Sequence, residues 1–189
     1  MYDIDFIEQI PSTNAYAKEN LDKLPHLKII SADLQTKGHG QFERVWYSSN
    51  KNGGNIYISI VFKPKELKNL DKLTQFGSLK AGETLIEYGL KPTYKYPNDI
   101  LIENRKICGI LAESVFLGNT FKGAVLGIGI NLNLDEDELK NIDIPATSIY
   151  FETKKRINKI EFLNRLLDNL IRESEDFFQR DIKGEILWN

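Results

Sequence analysis

An α+β fold, a mixed sheet backed by helices, is predicted by three observations. Asn55 to Phe62 alternates, placing Ile56, Ile58, Ile60 and Phe62 on one side of a strand. Val125 to Leu134 reads as a second long strand. Apolar or small residues recur at helical spacing from Leu73 through Phe76, Gly77, Ala81, Thr84 and Leu85 to Tyr88. They do so again from Phe162 through Leu163, Leu166, Leu167, Leu170 and Ile171 to Phe177. Strands and helices do not alternate strictly, so the helices are expected on one face of the sheet.

Taken in order, Ile4 to Ile10 is a short first strand ended by Pro11, and Ser12 or Thr13 caps a helix running to about Leu21. Leu27 to Ala32 is an apolar strand leading to Gln35. Gly38 to Asn52 has no period and reads as a long loop closed by Gly53-Gly54. The helix from Leu73 is ended by Gly89 and Pro92. Lys91 to Val115 is strand, turn and hairpin: Pro97 holds Tyr96 extended, Asn98 and Asp99 favour a turn, and Glu103-Asn104-Arg105 reverses the chain. Asn158-Lys159-Ile160-Glu161 has capping-box spacing and opens the last helix.

Composition excludes several classes. The 189 residues carry 27 acids against 25 bases, a formal charge of −2, so no basic field exists to hold nucleic acid. The single cysteine, Cys108, rules out an internal disulfide and a cysteine zinc site. Two histidines without an HExxH run argue against a histidine-held metal, and no metal ligands are assigned. No apolar run approaches ~20 residues and no basic-then-apolar leader opens the chain, so a soluble, cytoplasmic protein without membrane contact is expected.

Three stretches carry chemistry. Lys95-Tyr96-Pro97-Asn98-Asp99, with Lys106 and Gly109, displays a lysine and a carboxylate on a sheet rim beside a residue with no side chain; a solvated hairpin with surface charges reads the same way. In Val125 to Asn133 the even positions are apolar, while Gly127, Gly129, Asn131 and Asn133 make a flat floor with a polar edge. Close packing of another element explains two glycines on one face equally well. In Gln35 to Trp46, Gly38 and Gly40 free the backbone to converge on an anion; Lys37, His39 and Arg44 add positive charge, and Trp46 offers a flat surface. A mobile polar loop is the plainer alternative, and neither a Walker A nor a dinucleotide fingerprint is present.

In this order and spacing, Ser12-Thr13-Asn14, Gln35…Gly38-His39-Gly40…Arg44…Trp46, Lys95 to Asp99, Lys106…Gly109-Ile110-Leu111…Glu113 and Gly127 to Asn131 resemble the biotin protein ligases. The likeness runs from about Ile7 to Ile149 and includes Ala146-Thr147-Ser148-Ile149. It implies a biotin/lipoate ligase fold, related to the catalytic fold of class II aminoacyl-tRNA synthetases. It also implies biotin and ATP as substrates with Mg²⁺, and a lysine of a biotin carboxyl carrier protein domain as acceptor. By the same resemblance, biotin contacts fall on Ser12, Thr13, Asn14, Gln35, Gly38, His39, Gly40, Gln41, Lys106 and Gly109. Nucleotide contacts fall on His39, Arg44, Trp46, Asn98, Lys106 and Asn131, with Lys106, Asp99 and Arg44 as the catalytic set and Asp99 a candidate to orient the acceptor amine or take its proton.

The chain departs from the family's Gly-Arg-Gly-Arg-x-Gly-Arg loop. Here it reads Gly38-His39-Gly40-Gln41-Phe42-Glu43-Arg44, which predicts weaker retention of the adenylate. A catalytic domain over residues 1–180 and a short remnant over 181–189 are expected, without the family's N-terminal helix-turn-helix or C-terminal β-barrel, hence no operator binding. A homodimer is plausible by analogy. A lipoate or octanoyl ligase of the same fold, or a non-catalytic biotin-binding protein, is the alternative.

Overall fold

The computed structural model describes residues 2–40, 44–49, 51 and 53–183. Seven strands form one mixed sheet in the order β1-β2-β3-β7-β6-β5-β4. They are β1 (Ile4–Ile10), β2 (Ile29–Gln35), β3 (Asn55–Phe62), β4 (Thr93–Lys95), β5 (Asp99–Ile102), β6 (Arg105–Leu117) and β7 (Thr120–Asn131). β1 and β2 run parallel and every other pair is antiparallel. The helices are α1 (Thr13–Glu19), α2 (Leu73–Glu87), α3 (Glu136–Leu139), α4 (Ile149–Thr153) and α5 (Lys159–Gln179).

The larger core lies between the sheet and the α2/α5 pair. Ile56, Ile58, Ile60 and Phe62 of β3 and Leu126, Ile128 and Ile130 of β7 meet Phe76, Leu85, Phe162, Leu166 and Leu170 there, all buried. Gly77 lets α2 press close, since a Cβ on it would lie 3.0 Å from Leu126 Cδ1. The α5 start is set by Asn158, whose side-chain oxygen accepts from the N–H groups of Ile160 (2.9 Å) and Glu161 (3.1 Å). Gly89 ends α2 at φ +83°, the left-handed region that a glycine occupies without strain.

The expectation of helices on one face is corrected. α1 packs on the opposite face, where Ala17 and Leu21 meet Ile30, Val61 and Val125 in a second core. β3 is therefore buried along its whole length and on both sides, and its alternation marks two interiors rather than core and solvent. α1 projects Ser12, Thr13 and Asn14 from its first turn onto that second face, and Ser12 Oγ accepts from the Ala15 N–H as its N-cap.

The β5–β6 hairpin turns through Glu103 and Asn104, both at positive φ, as a two-residue connection between right-twisted strands requires. A register shift follows at once: Ile100 pairs with Cys108 but Leu101 with Lys106, leaving Ile107 as an extra residue on β6. Ile107 and Cys108 both enter the larger core. Without the bulge, strict alternation would send Lys106 to the core with Cys108 and Ile110. With it, Lys106 joins Gly109 on the α1 face.

Candidate functional site

On the α1 face, β6 and β7 pair Gly109 with Gly129 and Leu111 with Gly127, so the floor of the sheet carries three glycines in two adjacent rungs. Each is filled by a side chain from elsewhere. A Cβ on Gly127 would lie 2.2 Å from Asn14 Oδ1, and one on Gly129 would lie 2.7 Å from the Trp46 ring. A Cβ on Gly109 would meet both the Trp46 ring (2.7 Å) and Lys106 Cε (3.2 Å). The close-packing explanation of these glycines thus holds, and the elements that pack there are the residues expected at a ligand site.

Asn14, Thr13, Ser59 and Gln35 form one hydrogen-bonded network behind this floor. Asn14 Nδ2 donates to Leu111 O at 3.2 Å and to Glu113 Oε2 at 2.9 Å, while Glu113 Oε1 pairs with Lys18 Nζ at 2.6 Å. Ser59 Oγ stands 2.5 Å from Asn14 Oδ1 and 2.8 Å from Thr13 Oγ1. Gln35 Oε1 accepts from the Thr13 N–H at 2.8 Å. These side chains are buried, apart from the partly buried Gln35, Glu113 and Lys18, so their polar groups depend on one another rather than on water.

Two cavities open around them. The first, about 50 Å³, is lined by Ser12, Thr13, Asn14, Gln35, His39, Gly40, Trp46, Asn98, Lys106 and Gly109 among others. The second, about 430 Å³, is lined by Arg44, Trp46, Asp99, Lys106, Asn131 and the Asn141–Ile144 segment with Ala146. Among the described residues, only Trp46 and Lys106 line both. Lys106 Nζ lies 2.6 Å from Asp99 Oδ1 and 5.1 Å from the centre of the Trp46 ring, so a cation stands at the junction with a carboxylate on one side and an aromatic face on the other. The Lys106 backbone is held from outside: its N–H donates to Pro145 O at 2.8 Å and its carbonyl accepts from Thr147 N–H at 2.9 Å. The segment singled out as Ala146-Thr147-Ser148-Ile149 thereby acts as a brace for the lysine.

The glycine loop closes on itself at both ends. Gly40 N–H donates to Arg44 O at 2.8 Å and Trp46 N–H to Gly38 O at 2.9 Å. Gly38 is buried behind the cavity, where a Cβ would stand 3.0 Å from Gln35 Nε2. Gln41 lies outside the described residues, as do Phe42 and Glu43. Of the residues expected to contact the nucleotide, Arg44, Trp46, Lys106 and Asn131 line the second cavity, while His39 and Asn98 line the first. Asn98 lines the first cavity rather than the second, with Nδ2 donating to Ile110 O at 3.1 Å. Asn131 lines the second, but its amide is already occupied: Oδ1 accepts from Asn55 Nδ2 at 2.9 Å and Nδ2 donates to Thr147 O at 2.9 Å.

The sequence reading missed Ser59, Tyr57 and the Ile142–Ile144 wall as site residues. The signal for the first two was present, since Asn55, Tyr57 and Ser59 are the polar-capable alternate positions of β3. The wall has no motif of its own. Cys108 faces the core, where burial pushes its thiol far above the ordinary range and leaves no reactive thiolate. Among the described residues no cluster of three or more His, Cys, Asp or Glu is placed to hold a metal ion, and no helix is long and apolar enough to cross a membrane.

Comparison with known proteins converges on one family. A model of the Biotin/lipoate A/B protein ligase family matches residues 6–131. The "Bifunctional ligase/repressor BirA" of Bacillus spizizenii is 32% identical over 187 residues, covering 95% of this chain and 56% of that protein. The "Biotin--[acetyl-CoA-carboxylase] ligase" of Paracoccus denitrificans is 28% identical over 161 residues, 82% of this chain and 66% of that one. Among solved structures, the biotin protein ligase from Aquifex aeolicus in complex with biotin and ATP superposes with a TM-score of 0.79 at 29% identity, covering 95% of this chain and 73% of that chain. The chain spans about half the length of the first of these curated relatives. The glycine floor, the Ser12-Thr13-Asn14 turn and the lysine junction all fall within the matched segment, and the chain belongs to the biotin/lipoate A/B protein ligase family.

Proposed function

We propose that this chain is an ATP-dependent biotin–protein ligase that forms biotinyl-AMP and transfers biotin to a lysine of a biotin carboxyl carrier protein domain. One observation carries it: two cavities of different character share a single cation, Lys106. A polar, amide-lined cavity on one side suits a ring with N–H and C=O groups. A larger one on the other side suits a nucleotide, so the acid end of the first ligand and the α-phosphate of the second would meet at Lys106.

In the first step a biotin carboxylate oxygen attacks the α-phosphorus, the bond to pyrophosphate breaks, and a mixed anhydride forms. Negative charge gathers on the α-phosphoryl oxygens, and a lysine fixed at that point acts by position and charge rather than by covalency. In the second step a neutral acceptor amine attacks the acyl carbon, AMP departs, and the amine gives up a proton. Asp99, 2.6 Å from Lys106 Nζ, is the carboxylate available to orient or accept it. Magnesium enters as MgATP, its ligands supplied chiefly by phosphate oxygens and water.

The lipoyl reading fits the first cavity less well. A dithiolane ring offers no donor or acceptor, so the hydrogen-bonding capacity that Thr13 and Gln35 have left over from their bond to each other would gain nothing from it. The test is a reaction of this chain with biotin, MgATP and a biotin carrier domain, read by mass. A single biotinyl addition that requires ATP is expected. Transfer of lipoate but not biotin, or biotin binding without any turnover, would replace this reading with one of its alternatives.

The loop makes a further prediction. Arginine-to-phosphate bonds are charge-assisted and worth roughly 1.5–3 kcal/mol each when well formed, and the neutral amide of Gln41 makes no such fork. Preformed biotinyl-AMP is therefore expected to leave the natural chain at least 10-fold faster than it leaves a Gln41→Arg variant, by stopped-flow fluorescence. Equal rates would mean that residue 41 does not face the phosphate.

A further inference from the structure

We propose that Asp143 is a specificity-determining residue at the sugar of the nucleotide: its carboxylate accepts from the ribose hydroxyls, so that the second cavity prefers a ribonucleotide to a deoxyribonucleotide. The inference rests on the biotin–ATP reading and deepens it, because it names the part of the nucleotide that the Asn141–Ile144 wall reads.

The charges around the second cavity single this residue out. Four charged side chains line it, Arg44, Asp99, Lys106 and Asp143. Asp99 is taken by Lys106, at 2.6 Å. Asp143 is exposed, and among the described residues its carboxylate enters no ion pair. The two cations that share the outer side of the wall with it are already engaged. Lys140 pairs with Glu136 (3.2 Å) and Asp137 (3.4 Å), and Arg105 with Glu152 (3.0 Å) and Glu103 (3.2 Å). An acceptor without a donor therefore stands on the wall of a cavity that a nucleotide would fill.

Its place on that wall is fixed from both ends. On one side the Ile142 N–H donates to Leu139 O at 3.2 Å and closes α3. On the other, Pro145 O accepts from the Lys106 N–H at 2.8 Å, and Ala146 bridges Lys106 in parallel. Two chain steps separate Asp143 from Pro145, about 7 Å at full extension. Asp143 is thus held near the backbone of the residue that meets the α-phosphate. A triphosphate is drawn to Arg44 and Lys106 and repelled by an unpaired carboxylate, which leaves the nucleoside to the Asp143 wall. The part of the nucleoside bonded to the α-phosphate is the ribose. It presents two adjacent hydroxyls, and a carboxylate can only accept, through two oxygens. Ile142 and Ile144, on either side, offer apolar contact without an acceptor side chain. Asn141 is neutral, with its NH₂ turned to Asp137 O at 3.0 Å.

The experiment compares ATP, 2′-deoxy-ATP and 3′-deoxy-ATP as substrates of the full chain in biotin-dependent pyrophosphate release. In the natural chain, kcat/KM for at least one deoxy analogue is expected to lie about 10-fold below that for ATP. That is the low end for a hydrogen bond to a charged group, since this carboxylate stands partly in water. In Asp143→Ala the preference is expected to vanish, whatever common factor the lost charge applies to all three nucleotides. KM for biotin and the melting temperature should stay natural, because the side chain is exposed and unpaired among the described residues. Asp143→Asn keeps an acceptor without the charge and should keep part of the preference. A natural chain that uses all three nucleotides alike overturns the proposal. So does a preference that persists in Asp143→Ala, since another group then reads the sugar. A natural chain that releases no pyrophosphate with biotin and any of the three instead overturns the reading on which the proposal rests.

Discussion

Lys106→Ala is expected to cut ATP-dependent pyrophosphate release by on the order of 10²–10³ while biotin binding changes by less than about 10-fold. The asymmetry follows from where the ammonium stands. It touches both cavities at their junction and lies beside Asp99 and the Trp46 face, so its charge is offered where negative charge accumulates during adenylate formation and not where a urea ring would sit. Stability should change little. The side chain contributes no core packing, and its backbone hydrogen bonds to Pro145 and Thr147 survive truncation. Removing the ammonium leaves the buried Asp99 Oδ1 without its cation, but truncation of Lys106 opens that oxygen to the second cavity, which both residues line, so that water can reach it. Lys106→Arg is the informative control: the charge persists, but a planar fork on a longer stem does not place it at the same point. A loss comparable to that of alanine would show that position matters as much as sign. Pyrophosphate release near the natural rate in Lys106→Ala would remove the lysine from the mechanism.

The lysine also marks the limit of what the sequence discloses. The hairpin, its Glu103-Asn104 turn and the apolar run before it were readable from turn chemistry and alternation. The direction in which Lys106 points was not. It depends on one extra residue at Ile107, and a bulge leaves no signature where Ile107 and Cys108 are both small enough and apolar enough for the core. The two-sided burial of β3 was hidden for a related reason. Tyr57 and Ser59 look like solvent-side residues by composition, yet α1 and the glycine loop cover them, and a polar residue under a cover pairs with another polar residue. The glycines of β7 share one strand face, as the alternation implied, but the sequence could not say that Asn14 and Trp46 pack against them. That match is made between segments 113 residues apart at its widest, Gly127 against Asn14. Local patterns therefore gave the elements, and the site emerged only where distant elements met.

Gly127→Ala and Gly129→Ala are expected to separate the rigid half of this floor from its adjustable half. The two glycines are two residues apart on one strand face, and each added methyl collides with a named side chain. At Gly127 the new Cβ would lie 2.2 Å from Asn14 Oδ1. Asn14 has nowhere to go, since its amide is held by Leu111, Glu113 and Ser59 and its helix is packed on a buried core. Overpacking of this kind costs about 1–3 kcal/mol of stability. Because α1 must shift to relieve it, Ser12 and Thr13 leave their places, and a displacement of ~1 Å is enough to lose on the order of 10²-fold. Biotin affinity should fall by that amount, with a lower melting temperature. At Gly129 the methyl would meet the Trp46 ring at 2.7 Å, but Trp46 is carried by a loop and is only partly buried. Its indole N–H has no acceptor in the present position, so little holds it there. The ring should slide off the floor, with a melting temperature close to natural, a loss of biotin affinity nearer 10-fold or less, and a red-shifted Trp46 emission measured in a Trp188→Phe background. The decisive comparison is the ratio of the two biotin affinities by titration calorimetry: equal losses would mean that Asn14 is no more fixed than Trp46, and the hydrogen-bonded network behind the floor would lose its claim to rigidity.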